Sequence, residues 1–191
     1  MKRTLSALFA VMMLFFMNFT ALAADNTIDD ITYIYVDSVD DIDWDNASSD
    51  IAYLVPNENV PDVDESSHAV LQEGGVVPFG ITPPTRPEQE WNIATRGPYD
   101  FDGSIEDWLY DLYTNYYFVG KETYNIECKN LYDDTVRMEA KDYWGIALHK
   151  TWDIPAGHTL YAFIDKADDI STTTEWYLAW FAPAIVSGTV S

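Results

Sequence analysis

The sequence predicts an all-β protein: a single β-sandwich of about eight or nine antiparallel strands behind a disordered acidic arm. Two observations predict the sandwich. In Tyr124–Asn130, Tyr124, Ile126 and Cys128 alternate strictly with Asn125, Glu127 and Lys129, the period-2 pattern of a half-buried strand. Val136, Met138 and Ala140 alternate in the same way with Arg137, Glu139 and Lys141. A third observation predicts the arm. Residues 24–75 carry 14 of the 32 acidic residues and no Lys or Arg, a self-repelling composition that buries too little apolar surface to offset its ordering entropy.

In chain order, Lys2 and Arg3, an apolar run from Leu5 to Phe19 and Ala21-Leu22-Ala23 read as a secretory signal peptide over 1–23. The apolar run is shorter than the ~20 residues a membrane span needs. No cysteine follows the cleavage point for lipid attachment, so the expectation is a secreted, extracellular chain with no membrane insertion. Within the acidic arm, 24–75, Ile31–Val36 is a strand-like island, read either as a sticky patch in a disordered arm or as a segment that pairs with a sheet edge. Asn46-Ala47-Ser48 fits the short N-glycosylation pattern. Gly74-Gly75 and the prolines 78, 83, 84 and 87 mark a linker over 76–90.

The sandwich domain is expected over 91–191. Trp91–Thr95 and Tyr99–Ser104 open it. Residues 112–131 form its centre, read as a β-hairpin of Tyr113–Val119 and Thr123–Asn130 reversing at Gly120-Lys121. Thr135–Lys141, Ile146–Trp152, Thr159–Asp165, Glu175–Phe181 and Ile185–Val190 follow, with Pro155-Ala156-Gly157 as a turn and Pro183 as a stop. A helix of one or two turns is predicted over Ser104–Leu112, where Ile105, Leu109 and Leu112 recur at helical spacing.

Composition excludes some partners. A formal charge of −22 repels nucleic acid and anionic membrane surfaces. Cys128 is the only cysteine, so no intrachain disulfide forms, and its alternation with Tyr124 and Ile126 makes it a buried, inert thiol. The chain has no G-x-S-x-G elbow, H-E-x-x-H pair or Gly-rich phosphate loop. His68 falls in the arm, and His149 and His158 flank a turn. Asp100, Asp102 and Glu106 gather around Gly103, which reads as a solvated acidic turn or, alternatively, as oxygen ligands for calcium; the EF-hand pattern itself fails. Two strands, Tyr116–Val119 and Trp176–Phe181, are apolar on both faces. Either loops or the acidic arm partly cover their second face, or it is an outward aromatic platform of Tyr117, Tyr177 and Phe181 that contacts a ligand while Trp176, Leu178 and Trp180 face inward.

The blocks Leu112–Tyr124 and Trp176–Pro183, with Ser187-Gly-Thr-Val190 after them, resemble a group of uncharacterised small secreted all-β proteins of Gram-positive bacteria, over about 99–190. The strand run with Pro155-Ala156-Gly157 before Thr159 is loosely similar to β-sandwich modules appended to secreted peptidases. The first resemblance implies fold, source and an extracellular location, the second fold alone, and neither brings functional residues. The sequence thus points to a non-catalytic secreted module that binds a surface, a glycan or a protein. Its rivals are a self-assembling structural protein and a small carboxylate-dependent hydrolase. Oligomeric state is left open.

Overall fold

The computed structural model describes residues 31–59, 86–106, 108–144 and 147–191. The expected signal peptide, the rest of the expected arm including His68, and most of the expected linker lie outside the described residues. Two mixed β-sheets stack face to face and form no closed barrel. Twelve strands are present among the described residues: β1 Thr32–Tyr35, β2 Ile51–Pro56, β3 Gln89–Asn92, β4 Tyr99–Ile105, β5 Asp111–Tyr113, β6 Tyr116–Val119, β7 Tyr124–Asn130, β8 Val136–Asp142, β9 Ala147–Ile154, β10 His158–Ile164, β11 Trp176–Phe181 and β12 Ala184–Val190. The first sheet runs β1-β2-β10-β7-β12-β4. The second runs β3-β6-β11-β8-β9, with β5 also paired to β11. Two pairs, β1/β2 and β3/β6, are parallel, so the all-antiparallel expectation gives way to a mixed arrangement.

The sandwich centre follows the alternation read from sequence. Tyr124, Ile126 and Cys128 from the first sheet meet Met138, Ala140, Trp176, Leu178 and Trp180 from the second in one core. These side chains are almost wholly out of water, and at about 25 cal/mol per Å² of apolar surface they dominate the driving force for folding.

Three expectations are corrected. First, β6 and β7 do not form a hairpin: β6 belongs to the second sheet and β7 to the first. Gly120 supports the crossing between them. It takes φ +101°, and a Cβ there would strike the Asn92 carboxamide. A glycine between two apolar runs serves an inter-sheet arch as well as a two-residue turn. Second, no helix spans 104–112. Ile105 ends β4, whose Tyr99, Phe101 and Ile105 are buried, and Asp111–Tyr113 is a strand. Ile105 and Leu112 are both core residues, reached through two short strands rather than one helical face. The only α-helical turn among the described residues is Ile93–Arg96, which cuts short the expected Trp91–Thr95 strand.

Third, residues 31–59 are not a disordered arm but two strands and a cover of the first sheet. In β2, Ala52 and Leu54 enter the main core while Tyr53 and Val55 point to the opposite face. There Val36, Val39, Ile42 and Ala47 fold back over Tyr53, Val55, Tyr161 and Phe163 as a second, smaller core. The acidic residues serve this layer locally. Ser38 and Asp41 form a reciprocal capping box around Val39–Asp41, and Asp43 accepts a hydrogen bond from Asn46 Nδ2 at 2.8 Å. Of the two readings of the 31–36 island, pairing at a sheet edge is the arrangement found.

Candidate functional site

The expected platform on the second sheet is not open. Trp176, Leu178 and Trp180 do face the core, which leaves Tyr177 on the outer face. Yet Tyr177 is only 1% exposed, with the Tyr113 ring 5.9 Å away. Half-buried Phe181 has the Lys141 ammonium 5.5 Å from its ring centroid. Half-buried Tyr117 packs edge-on to Tyr143 at 5.3 Å. Each ring is engaged by its own neighbours; Tyr177 is buried, while Tyr117 and Phe181 stay half-exposed.

The carboxylates read as calcium ligands lie along one strand and just past its end. Asp100 and Asp102 sit on outward positions of the extended strand β4, and Glu106 lies past its far end. Asp100 Oδ1 accepts a hydrogen bond from Thr189 Oγ1 at 2.6 Å. No group of three or more His, Cys, Asp or Glu able to hold a metal occurs among the described residues. His158 Nδ1 lies 2.9 Å from the Ala156 carbonyl and its ring is edge-on to Tyr35.

An opening exists instead on the outer face of the first sheet, where the 36–50 cover stops short of β12. It encloses about 170 Å³ and is lined by Trp44, Asn125, Glu127, Tyr161, Phe163 and Thr189, with Ser191 at one end. The β7 alternation that sends Ile126 and Cys128 inward sends Asn125 and Glu127 onto this floor. Register then lays Tyr161, Glu127, Thr189 and Asp100 in one row across β10, β7, β12 and β4. Trp44 forms the wall. It stands in the Trp44–Asn46 3-10 turn, edge-on to Tyr161 at 6.1 Å and to Phe163 at 5.9 Å, and stays 47% exposed. Tyr53 secures that turn by donating its hydroxyl to the Asp43 carbonyl at 3.2 Å.

The electrostatics of the floor centre on Glu127. Burial pushes its carboxyl above the ordinary 4.5, a rise opposed by a hydrogen bond with Tyr161 and by Lys129, and reinforced by the Asp100 charge. Burial, and then the Glu127 charge, raise the Tyr161 phenol in turn. The groove therefore joins aromatic surface, one partly desolvated carboxyl, a side-chain amide and hydroxyls within a space of a single small ring. That combination suits a polar ring with an apolar face, which can stack on an aromatic wall while its hydroxyls bond the floor.

Sequence reading placed Asn125 and Glu127 on an outward face but missed the site. Its wall comes from Trp44, in a segment judged by charge alone. Its other rings, Tyr161 and Phe163, sit in a strand read only as a strand. Comparison with protein-family models, with curated proteins and with solved structures finds no match for this chain.

Proposed function

We propose that this chain is a secreted, non-catalytic binding module that takes one sugar unit of an extracellular glycan in the groove beneath Trp44. The observation that supports it best is the half-exposed Trp44 ring standing over a floor that carries Glu127 and Asn125. An aromatic ring held in place by packing offers contact area with little entropy left to lose. With so small a groove, affinity comes from repetition along the polymer and each contact is modest. The acidic surface, at a formal charge of −22, favours neutral or cationic polymers over anionic ones.

The test is retention of the purified chain on washed cell walls and insoluble polysaccharides, with and without calcium. Trp44→Ala is expected to weaken retention by about tenfold or more, the loss of an aromatic anchor. Glu127→Gln should weaken it less, because the amide keeps an acceptor. Equal retention of Trp44→Ala and the parent chain sinks the reading.

Self-assembly is the second reading, favoured by one observation. Strand β1 is a parallel edge of the first sheet with Tyr35 64% exposed, the type of edge another chain can extend. Sedimentation showing a monomer at all concentrations would remove it.

A further inference from the structure

Lys150 stands in β9 two residues before Trp152 and four before Ile154, both core residues, and its side chain is 1% exposed. Its ammonium Nζ lies 3.1 Å from Asp168 Oδ1, on a carboxylate itself 3% exposed. Asp50 Oδ1 lies 3.2 Å from the same nitrogen and is largely in solvent. The second oxygen of Asp168, Oδ2, accepts the Asp165 backbone N–H at 3.0 Å. The three residues come from distant parts of the fold: Lys150 from the second sheet, Asp168 from the 3-10 turn Lys166–Asp168 that follows β10 in the first, and Asp50 from the residue before β2.

We propose that Lys150 and Asp168 condense to an intramolecular isopeptide bond, with Asp50 carrying the proton. Nζ passes one proton to Asp50, which hands it on to Oδ1 of Asp168, and the neutral amine then attacks Cγ of the resulting carboxylic acid. Charge gathers on Oδ2, where the Asp165 N–H already points, as an oxyanion donor would. Oδ1, the oxygen nearest Nζ, takes the second proton from that nitrogen and leaves as water. The ammonium gives up two protons, the carboxylate gives up one oxygen, and an Nζ–Cγ amide forms. Charge and atoms balance with no oxidant or outside reactant.

Three physical conditions favour the step. Two charges withdrawn from water carry a desolvation cost that a neutral amide removes. Two reacting groups held at contact distance react as if at very high concentration. Asp50, on the solvent side, gives the water a way out. The product would join the two sheets covalently in a chain whose single cysteine is buried and unpaired.

The test is the intact mass of the purified full chain, denatured, with its N-terminus determined, followed by a tryptic map. The expected mass is lower than the composition by one water. Trypsin should fail to cut after Lys150, and a branched peptide should join residues 142–166 to residues 167–191. Lys150→Arg and Asp168→Ala should both show the full mass. A wild-type chain of full mass overturns the proposal. So does a lost water that maps to Asp102-Gly103, where a succinimide would form instead. Because the wild-type mass and branch decide the matter, a variant that fails to fold does not blunt the test. Asp50→Ala should leave most of the chain unlinked soon after synthesis, and linkage at the parent rate would overturn the role given to Asp50.

Discussion

Asn130, at the end of β7, is fully buried and joins three segments through one side chain. Its amide nitrogen donates to the carbonyls of Asp134 and Ile154, both at 2.8 Å, and its oxygen accepts the Tyr132 N–H at 2.8 Å. Since Ile154 ends β9, this residue links the two sheets. Asn130→Ala would strand a buried carbonyl and an N–H, and is expected to cost about 2–3 kcal/mol in urea unfolding. Glu127 gives a test in pH. Its folded-state value lies above the ordinary 4.5, so the folded chain holds that proton more tightly than the unfolded chain does. The resulting stabilisation is complete below the unfolded value and is lost as pH rises through the folded one. At neutral pH the carboxylate thus weighs against the fold. Glu127→Gln should raise the urea midpoint at about pH 7 and give no advantage at about pH 3.5; an unchanged difference across that range would show that the effect is not titration. Cys128 was legible from alternation alone. Burial pushes its thiol up to about 12, so a thiol reagent should label it only after unfolding. Neither the Asn130 network nor the burial of Glu127 could be read from sequence, because both depend on which strands lie beside β7.

At the level of elements, alternation located most strands of the sandwich within a residue or two, and it failed where two structures share one pattern. Gly120 between apolar runs fits a hairpin and an inter-sheet arch equally. The spacing of Ile105, Leu109 and Leu112 fits a helix, but here Ile105 and Leu112 are core positions on two different strands. The larger miss was the segment 31–59. Its charge hid an apolar run, Ile51-Ala-Tyr-Leu-Val55, in which four residues are buried. The same segment supplies Trp44, so losing the strand also meant losing the site. Its structural weight can be measured. A chain beginning at residue 76 lacks β1 and β2 and uncovers Tyr161 and Phe163. It should melt at lower temperature than the full chain, or aggregate through the freed edge of β10. A milder probe is Tyr53→Ala, which removes a ring from the second core and a hydrogen bond to Asp43. The expected cost is about 3 kcal/mol. An unchanged melting temperature in both would mean that the cover contributes nothing to the fold.

For the whole molecule, alternation correctly indicated a β fold, and the single cysteine leaves no intrachain disulfide. Composition could not indicate how a chain with 32 acidic and 10 basic residues holds its two sheets together. Of the ion pairs on β8 and β9, those of Arg137 and Lys141 stay within the second sheet, and Lys150 alone reaches a turn that follows a strand of the first. Arg137 pairs with Asp153 through two nitrogens, Nε at 2.7 Å and Nη2 at 2.9 Å. Lys141 pairs with Glu139 at 3.0 Å, and Lys150 bridges Asp168 and Asp50. Several of the scarce cations are thus committed to local partners, and the excess acid is left facing itself across the surface. Exposed pairs such as Arg137–Asp153 contribute about 1 kcal/mol at most, so screening them loses little. Screening the general repulsion gains more, because it acts on every excess carboxylate within a Debye length of about 10 Å at 0.1 M salt. The two effects have opposite signs, and the net charge decides between them. Raising sodium chloride from about 0.01 M to about 0.5 M, beyond the point where surface charges are largely screened, should therefore raise the melting temperature measured by circular dichroism. A fall would mean that the specific pairs outweigh the repulsion.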